Sequence, residues 1–543
     1  MFLFDSKGFW ICPECGHGNH LPESNCLVCE YENKKLQEKA FETPSNIPLK
    51  STTSIAKKVA LFVTIIIVGA IGCGIGWFIG NGGVDYERII PLAEQGDAQS
   101  QFDLGLLYYH GLSVSQNQEW TVYWWRKAAF QSHIYAQFNL GRMYYYGVGT
   151  ISNYERAAYW YRAAIEHGHI VAQTNLGSMY YHGQGVEQNY EYAVYWYRRA
   201  AELGEARAQN RLGMMYFNGH GVEQCYEQAI YWYRIAIDYG HILAQTNLAS
   251  MYYHGRGIEQ SYEYAEYWYR QAAGLGESRA QNRLGNMYFH GHGVEQSYEK
   301  AVCWYRIAIE HGHIVAQSNL GSMYYHGRGV EQSYEYAVYW YRRGAGLGGA
   351  RAQNELGNMY FHGHGVEQSY EQAVHWYRIA IEHGHIVAQS SLGYMYYHGR
   401  GVEQSYEHAE YWYRRAAGLE ESTAQNRLGN MYFRGHGVKQ NYEQAVFWYR
   451  KAAIQGNTSA QNNLGFMYYH SRGVERSYEQ AMYWYRIAAN QGQTRAQFNL
   501  GLMYENGSGV EENLDQAIYW FNRAADQGCN SAQQALDRLE VAS

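Results

Sequence analysis

The stretch AQTNLGSMYYHGQGVEQNYEYAVYWYRRAAELGEAR, residues 172–207, decides the fold. Ala172, Leu176 and Tyr180 fall at i, i+4 and i+8 and therefore share one face of a helix. Ala193, Trp196, Tyr197 and Ala200 do the same for a second helix. Between them, Gly183 and Gly185 supply the left-handed backbone that ends one helix and turns the chain. A single hairpin of this kind cannot bury its apolar stripe, so neighbours must cover it.

Those neighbours are in the chain. Alanine returns at 136, 172, 208 and onward to 496, with Ser100 in the first place, giving twelve 36-residue units over 100–531. The column at Asn189 is Ser or Asn in eleven units, the exception being Cys225, and these are good N-caps for the second helix. The column at Glu191 is acidic in all twelve and the column at Arg198 is Arg in eleven, an order that suits the helix macrodipole. The His182 column falls in the last turn of the first helix and gains the same benefit when protonated. A second period of 72 residues overlies the first: units ending HGHIV or similar, at His167, His311 and His383, alternate with units ending GLGE or similar.

Every chemical-looking residue in the motif recurs in unit after unit, so nothing marks one copy as an active site. The chain has no unique Ser/Lys or Ser/His/Asp arrangement, and the reading is of a protein that is not an enzyme. A net charge of -7 without a long basic run gives no reason to expect a nucleic-acid partner. The histidine pairs His167/His169, His311/His313 and His383/His385 would bind metal only if two pairs met, and copies 72 residues apart stand two units apart.

The recurring patterns A-x-x-x-L-G-x-M-Y-x-x-G-x-G-V and Y-x-x-A-x-x-W-Y-x-x-A-A closely resemble the Sel-one-like repeat, a relative of the tetratricopeptide repeat. The resemblance covers about four-fifths of the chain. It implies an all-α fold, a right-handed α/α superhelical solenoid of about twelve helix pairs, with residues 84–99 as an N-terminal capping half-repeat and 532–543 as a closing helix. A cysteine-rich branch of the family carries a cysteine pair in each repeat, which this chain lacks. The resemblance also implies that partners bind the concave face lined by first helices, at the columns of Thr174, Ser178, Tyr181 and His182. The candidate contacts are Tyr181, His182, Tyr253, His254, Phe289, Tyr325, His326, Phe361, Tyr397, His398, Phe433 and Tyr469. A groove of rings beside small polar groups suits an extended peptide, and rings stacked on sugar faces would equally suit a glycan strand. In the third reading the rings pack between adjacent units and line nothing.

Ahead of the array, residues 8–32 contain W-x-C-x2-C-x3-N-x6-C-x2-C, in which Cys12, Cys15, Cys26 and Cys29 can hold one zinc ion tetrahedrally. With Trp10 and Asn19 in place, the pattern resembles the Ran-binding-protein-type zinc finger. Family members bind ubiquitin through a Thr-Phe pair or single-stranded RNA through arginines. Here Gly16 and His17 follow Cys15, and no Lys or Arg lies between Cys15 and Cys26, so neither ligand carries over. Residues 33–58 read as a polar linker.

Residues 59–79, VALFVTIIIVGAIGCGIGWFI, carry no charge and are long enough as a helix to cross a bilayer. Lys39, Lys50, Lys57 and Lys58 precede the span and only Arg88 follows it closely, which places the N-terminus in the cytoplasm and the repeats outside. Gly72 and Gly76 have the spacing of a helix–helix dimer contact. The expected protein is a single-pass inner-membrane scaffold with a cytoplasmic zinc finger. Its extracytoplasmic repeat arm, in a bacterial periplasm, gathers partner proteins; the alternative is a module that binds cell-wall glycan.

Overall fold

The computed structural model describes residues 86–542, together with three two-residue strands, Leu3–Phe4, Trp10–Ile11 and Gly18–Asn19, paired antiparallel in that order. The zinc-finger cysteines Cys12, Cys15, Cys26 and Cys29, the apolar segment 59–79 and the Gly72/Gly76 pair lie outside the described residues. Among the described residues no helix is long and apolar enough to cross a membrane. From Tyr86 onward the chain is an all-α solenoid of 26 helices in repeated pairs. It falls into two compact units, Met1–Ser297 and Tyr298–Ser543, built in the same way.

The pair at Ile170–His182 and Tyr190–Glu202 shows how the sequence makes it. The first helix ends at Gly183, whose φ of 68° is left-handed and whose N–H reaches back to the Met179 carbonyl. The second begins at Asn189, whose side chain accepts from the Tyr192 N–H. Asn117, Asn153, Ser261, Ser333, Ser369, Ser405, Asn441, Ser477 and Asn513 cap in the same way. Cys225 makes no side-chain cap bond.

Within a pair the helices meet through glycine and tyrosine. Gly177 lies under the Tyr197 ring so closely that a Cβ there would stand 2.9 Å from it, and Gly213 stands likewise under Tyr233. The alanines at 172, 193, 200 and 208 are fully buried around this contact, with Leu176 and Met179. Small residues thus let the two backbones approach while one large ring fills the gap, and burying such a ring contributes roughly 2 kcal/mol. Ala249, opposite Tyr269, replaces the glycine in one unit.

Between pairs, three contacts repeat. A buried glutamine beside the first alanine donates to the carbonyl that closes the preceding second helix, as in Gln209 Nε2 to Ala201 O at 3.1 Å and Gln353 Nε2 to Ala345 O at 3.1 Å. Arg198 donates from Nη2 to the Tyr216 hydroxyl at 2.8 Å, and Arg342 to Tyr360 at 3.2 Å. Gly185 sits against the start of the previous unit's second helix, where a Cβ would come within 2.2 Å of the Tyr154 carbonyl carbon. The arginine column is thus corrected: Arg198 lies just before the last turn, and its head group holds the next unit instead of the helix's own carbonyls.

The ends reuse these contacts. Helix Tyr86–Glu94 offers its Ala93 carbonyl to Gln101 Nε2 at 3.0 Å, as a second helix would, and packs Ile89 and Ala93 on Leu104, Leu107 and Trp124. Helix Asn530–Ala542 lays Ala532, Ala535 and Leu536 on Ala517, Phe521 and Ala524.

Candidate partner-binding face and a basic groove

The first helices open with caps that the sequence disguised. His169 Nδ1 accepts the Ala172 N–H at 3.2 Å, and His133, His313 and His385 cap in the same way. An imidazole that accepts at Nδ1 is neutral there, and burial pulls His169 down to about 4. At 205, 277 and 421 glutamate takes the position, with Gly349 there once: Glu205 accepts the Ala208 and Arg207 N–H groups and, at 2.8 Å, the Thr174 hydroxyl of the preceding unit. Glu277 repeats two of these bonds, with Ala280 N–H and Thr246. The H-x-H pairs are therefore helix punctuation. His167 turns its Nδ1 to the Ala163 carbonyl at 2.9 Å and to Gln137 Oε1 at 3.1 Å. Among the described residues no group of three or more His, Cys, Asp or Glu side chains gathers as a metal site would require.

The ring column is engaged between units. The Tyr181 hydroxyl meets His220 Nδ1 at 3.2 Å, and the same pairing joins Tyr253 to His292, Tyr325 to His364 and Tyr397 to His436. Each histidine also stacks on the tyrosine that opens a second helix, as His220 does on Tyr190 at 4.8 Å. In the phenylalanine units an arginine replaces the histidine: Arg400 lies over Phe361 at 5.4 Å and Arg472 over Phe433 at 5.5 Å. Phe361 and Phe433 also lean on Tyr370 and Tyr442. Phe289 meets His290 edge-on, and Tyr469 rests on Tyr478 with its hydroxyl 3.4 Å from Ser508 Oγ. The loop residue between the two glycines thus matches its ring, tyrosine with histidine and phenylalanine with arginine, a pairing that alternates with the same 72-residue period.

Of the four columns expected to line a groove, Thr174 is buried, Ser178 and Tyr181 are half-buried and His182 is exposed. His254, His326 and His398 are exposed like His182. Burial, and then the nearby arginines, hold His254, His398 and His470 below the ordinary histidine value, while His290 and His362 are lowered by burial and a neighbouring histidine.

One place departs from the repeat. A groove of about 550 Å³ opens across the first helices Ile134–Tyr146, Ile170–His182 and Ala206–Asn218, with Phe138 and Tyr161 among its walls. Arg142, Tyr145, Asn175, His182, Arg207 and Arg211 also line it, and no carboxylate does. Arg142 is the single arginine in its column, whose other members are Leu, Ser, Met, Asn, Tyr and Phe. The sequence signal was this departure from the column, and reading the columns only for agreement passed over it.

Comparison with known proteins follows this geometry. The Sel1 repeat profile matches twelve consecutive stretches, beginning with 98–133 and ending with 494–529. Each stretch starts two residues ahead of the alanine column. Among solved structures, the chain is 34% identical to c5321, a protective antigen present in uropathogenic Escherichia coli strains displaying an SLR fold. That match covers 84% of this chain and 98% of the other, with a TM-score of 0.52. It is 32% identical to a Sel1 repeat protein from Oxalobacter formigenes, over 45% of this chain and 96% of that one, with a TM-score of 0.41. Comparison with curated proteins returns no match. With twelve Sel1 matches running through most of its length, the chain belongs to the Sel1 repeat family, whose solenoid is a scaffold for protein–protein interaction.

Proposed function

We propose that this protein is a membrane-anchored scaffold that assembles partner proteins on the first-helix face of its Sel1 solenoid, outside the cytoplasm. The observation that carries the reading is the use of the repeated side chains. The arginine, glutamine, glycine and capping columns are spent on holding units together. Left open near the C-terminal end of the first helices are the exposed His182, His254, His326 and His398 beside half-buried rings. Such a surface suits a polypeptide more than a sugar strand, because stacking on sugars needs an open ring face. The ring of Tyr253 has Tyr262 and His292 beside it at 5.1 and 5.7 Å.

The anchor rests on the uncharged segment 59–79 and on the lysines before it. The protective-antigen description of the E. coli relative supports a repeat arm presented outside the cytoplasm. Cys12, Cys15, Cys26 and Cys29 fit a zinc ion by number and spacing, and the finger would then lie in the reducing cytoplasm.

The test is in-cell photocrosslinking from His182, His254 and His326, with a control at Glu191 on a second helix. The reading expects discrete protein partners from the first three positions and not from the control. Recovery of wall glycan alone would overturn it. Protease added to spheroplasts should digest the repeats and spare the N-terminal region, and the reverse pattern would reverse the topology.

A further inference from the structure

We infer that the groove between the first helices of the second, third and fourth units is a docking site for an acidic peptide segment, held through its carboxylates by Arg142, Arg207 and Arg211. This rests on the scaffold reading and names the chemistry of one partner. Three observations carry it.

First, the charge is uncompensated. Side chains of Arg142, Arg207 and Arg211 make no ion pair or hydrogen bond among the described residues, and the groove wall contains no Asp or Glu. Glu205, beside Arg207 in sequence, is already engaged by Thr174 and by the backbone N–H groups it caps. Secondly, three of the equivalent arginines elsewhere are occupied. Arg279 pairs with Glu277 at 3.1 Å, Arg351 donates to Asn319 at 3.1 Å and Arg427 to the Tyr413 hydroxyl at 3.2 Å. Arg283 and Arg495 in the same columns have no such partner among the described residues; what sets this place apart is that Arg142, the single arginine of its column, adds a third guanidinium from another helix. Thirdly, the site is shaped for an extended chain. The arginines come from helices either side of Asn175 and His182, so charge flanks an amide that can bond a peptide backbone, with Tyr145 beside it as an apolar wall. Three guanidinium groups on two helices, Arg142 on one side of Ile170–His182 and Arg207 with Arg211 on the other, suit successive side chains of a peptide better than one small anion.

The experiment uses the full chain in detergent and a fluorescein-labelled peptide of alternating glutamate and tyrosine, with its glutamine counterpart. The acidic peptide is expected to bind, to weaken as salt rises from 50 to about 300 mM, and to lose about fivefold in affinity in Arg142→Gln and in Arg211→Gln. Arg279→Gln, which removes a paired arginine two units beyond Arg207, should leave binding unchanged. Each altered side chain is exposed, so unchanged helical circular dichroism and melting will show that the fold is intact. Equal binding of the glutamine peptide, or equal loss in Arg279→Gln, overturns the inference. Displacement by inorganic phosphate below 1 mM, on the order of a dedicated small-anion site, also overturns it. Absence of peptide binding while photocrosslinking from His182 still recovers protein partners removes this inference alone and leaves the scaffold reading standing.

Discussion

Arg198 and Tyr216 stand in adjacent repeats and are joined by a 2.8 Å hydrogen bond from guanidinium to phenol. The same bond, eighteen residues long, recurs from Arg126 with Tyr144 to Arg486 with Tyr504. It ties each second helix to the next first helix, and its exposure limits what one copy contributes. Tyr216→Phe should therefore cost about 0.5–1 kcal/mol. A double-mutant cycle with Arg198→Met, followed by hydrogen exchange in Ala206–Asn218, should return most of that as coupling. Additive losses would mean that the bond contributes nothing.

Cys225 is a second-helix N-cap residue without a side-chain cap bond; its thiol lies 3.4 Å from a Glu227 oxygen instead. Cys225→Asn restores the acceptor found at Asn189 and Asn153. A gain of roughly 1 kcal/mol is expected, read as slower amide exchange in the first turn of Tyr226–Asp238.

Buried amide oxygens offer a second route to stabilisation. Gln425 Oε1 accepts from Gln455 Nε2 at 2.8 Å, and Gln497 Oε1 from Gln527 at 2.6 Å. In the middle of the array the partner position is Leu203 or Leu347, both exposed, and Oε1 of Gln173 and Gln317 has no protein partner. Leu203→Gln and Leu347→Gln should each stabilise by about 1 kcal/mol, measured as a rise in melting temperature. A fall would show that the leucines pack more than their exposure suggests.

Adding a methyl at the helix–helix contact works in the opposite direction. Gly213→Ala places a Cβ 2.6 Å from the Tyr233 ring, so the ring or a helix must move. Ala249 opposite Tyr269 shows that a pair can yield by this amount, which puts the cost near 1 kcal/mol, the low end for overpacking. Urea denaturation, with Ala249→Gly as the reciprocal variant, checks it.

Acid should loosen the units with histidine at the first-helix N-cap position before those with glutamate there. His169 and His241 are pulled down to about 4, in both chiefly by burial, while an unfolded histidine titrates near 6.5. The unfolded chain therefore binds the proton first. Stability from these groups is fully present above about pH 6.5 and is lost as pH falls from there toward 4. His169→Asn keeps an N-cap acceptor and removes the titration. Its melting temperature should fall less than that of the parent between pH 7.5 and 5, and an equal fall would place the acid sensitivity elsewhere.

The helix pairs, their boundaries and the second-helix caps were legible because each is signalled locally, by an apolar stripe, two glycines and an Asn or Ser at fixed spacing. The joints between units were not, because they pair residues eight to thirty-nine positions apart and periodicity reports only what repeats, not what it touches. Arg198 looked like a dipole partner and the second histidine of each H-x-H pair had no assigned role, although both serve the repeat's own geometry. Gln173 and its equivalents recur in every unit beside the alanine, so that signal was present and went unread. Arg142 was hidden for the opposite reason, since it breaks a column.

The coupling of Thr174 to Glu205 and of Tyr181 to His220 has a genetic consequence. Excision of 36 residues would set Thr174 against His241, a side chain that makes no cap bond of its own, and Tyr181 against Arg256. Excision of 72 would restore both matches, at Glu277 and His292. Recombination between the near-identical central copies should therefore yield alleles whose arms differ in reach by whole double steps, each bounded by intact joints.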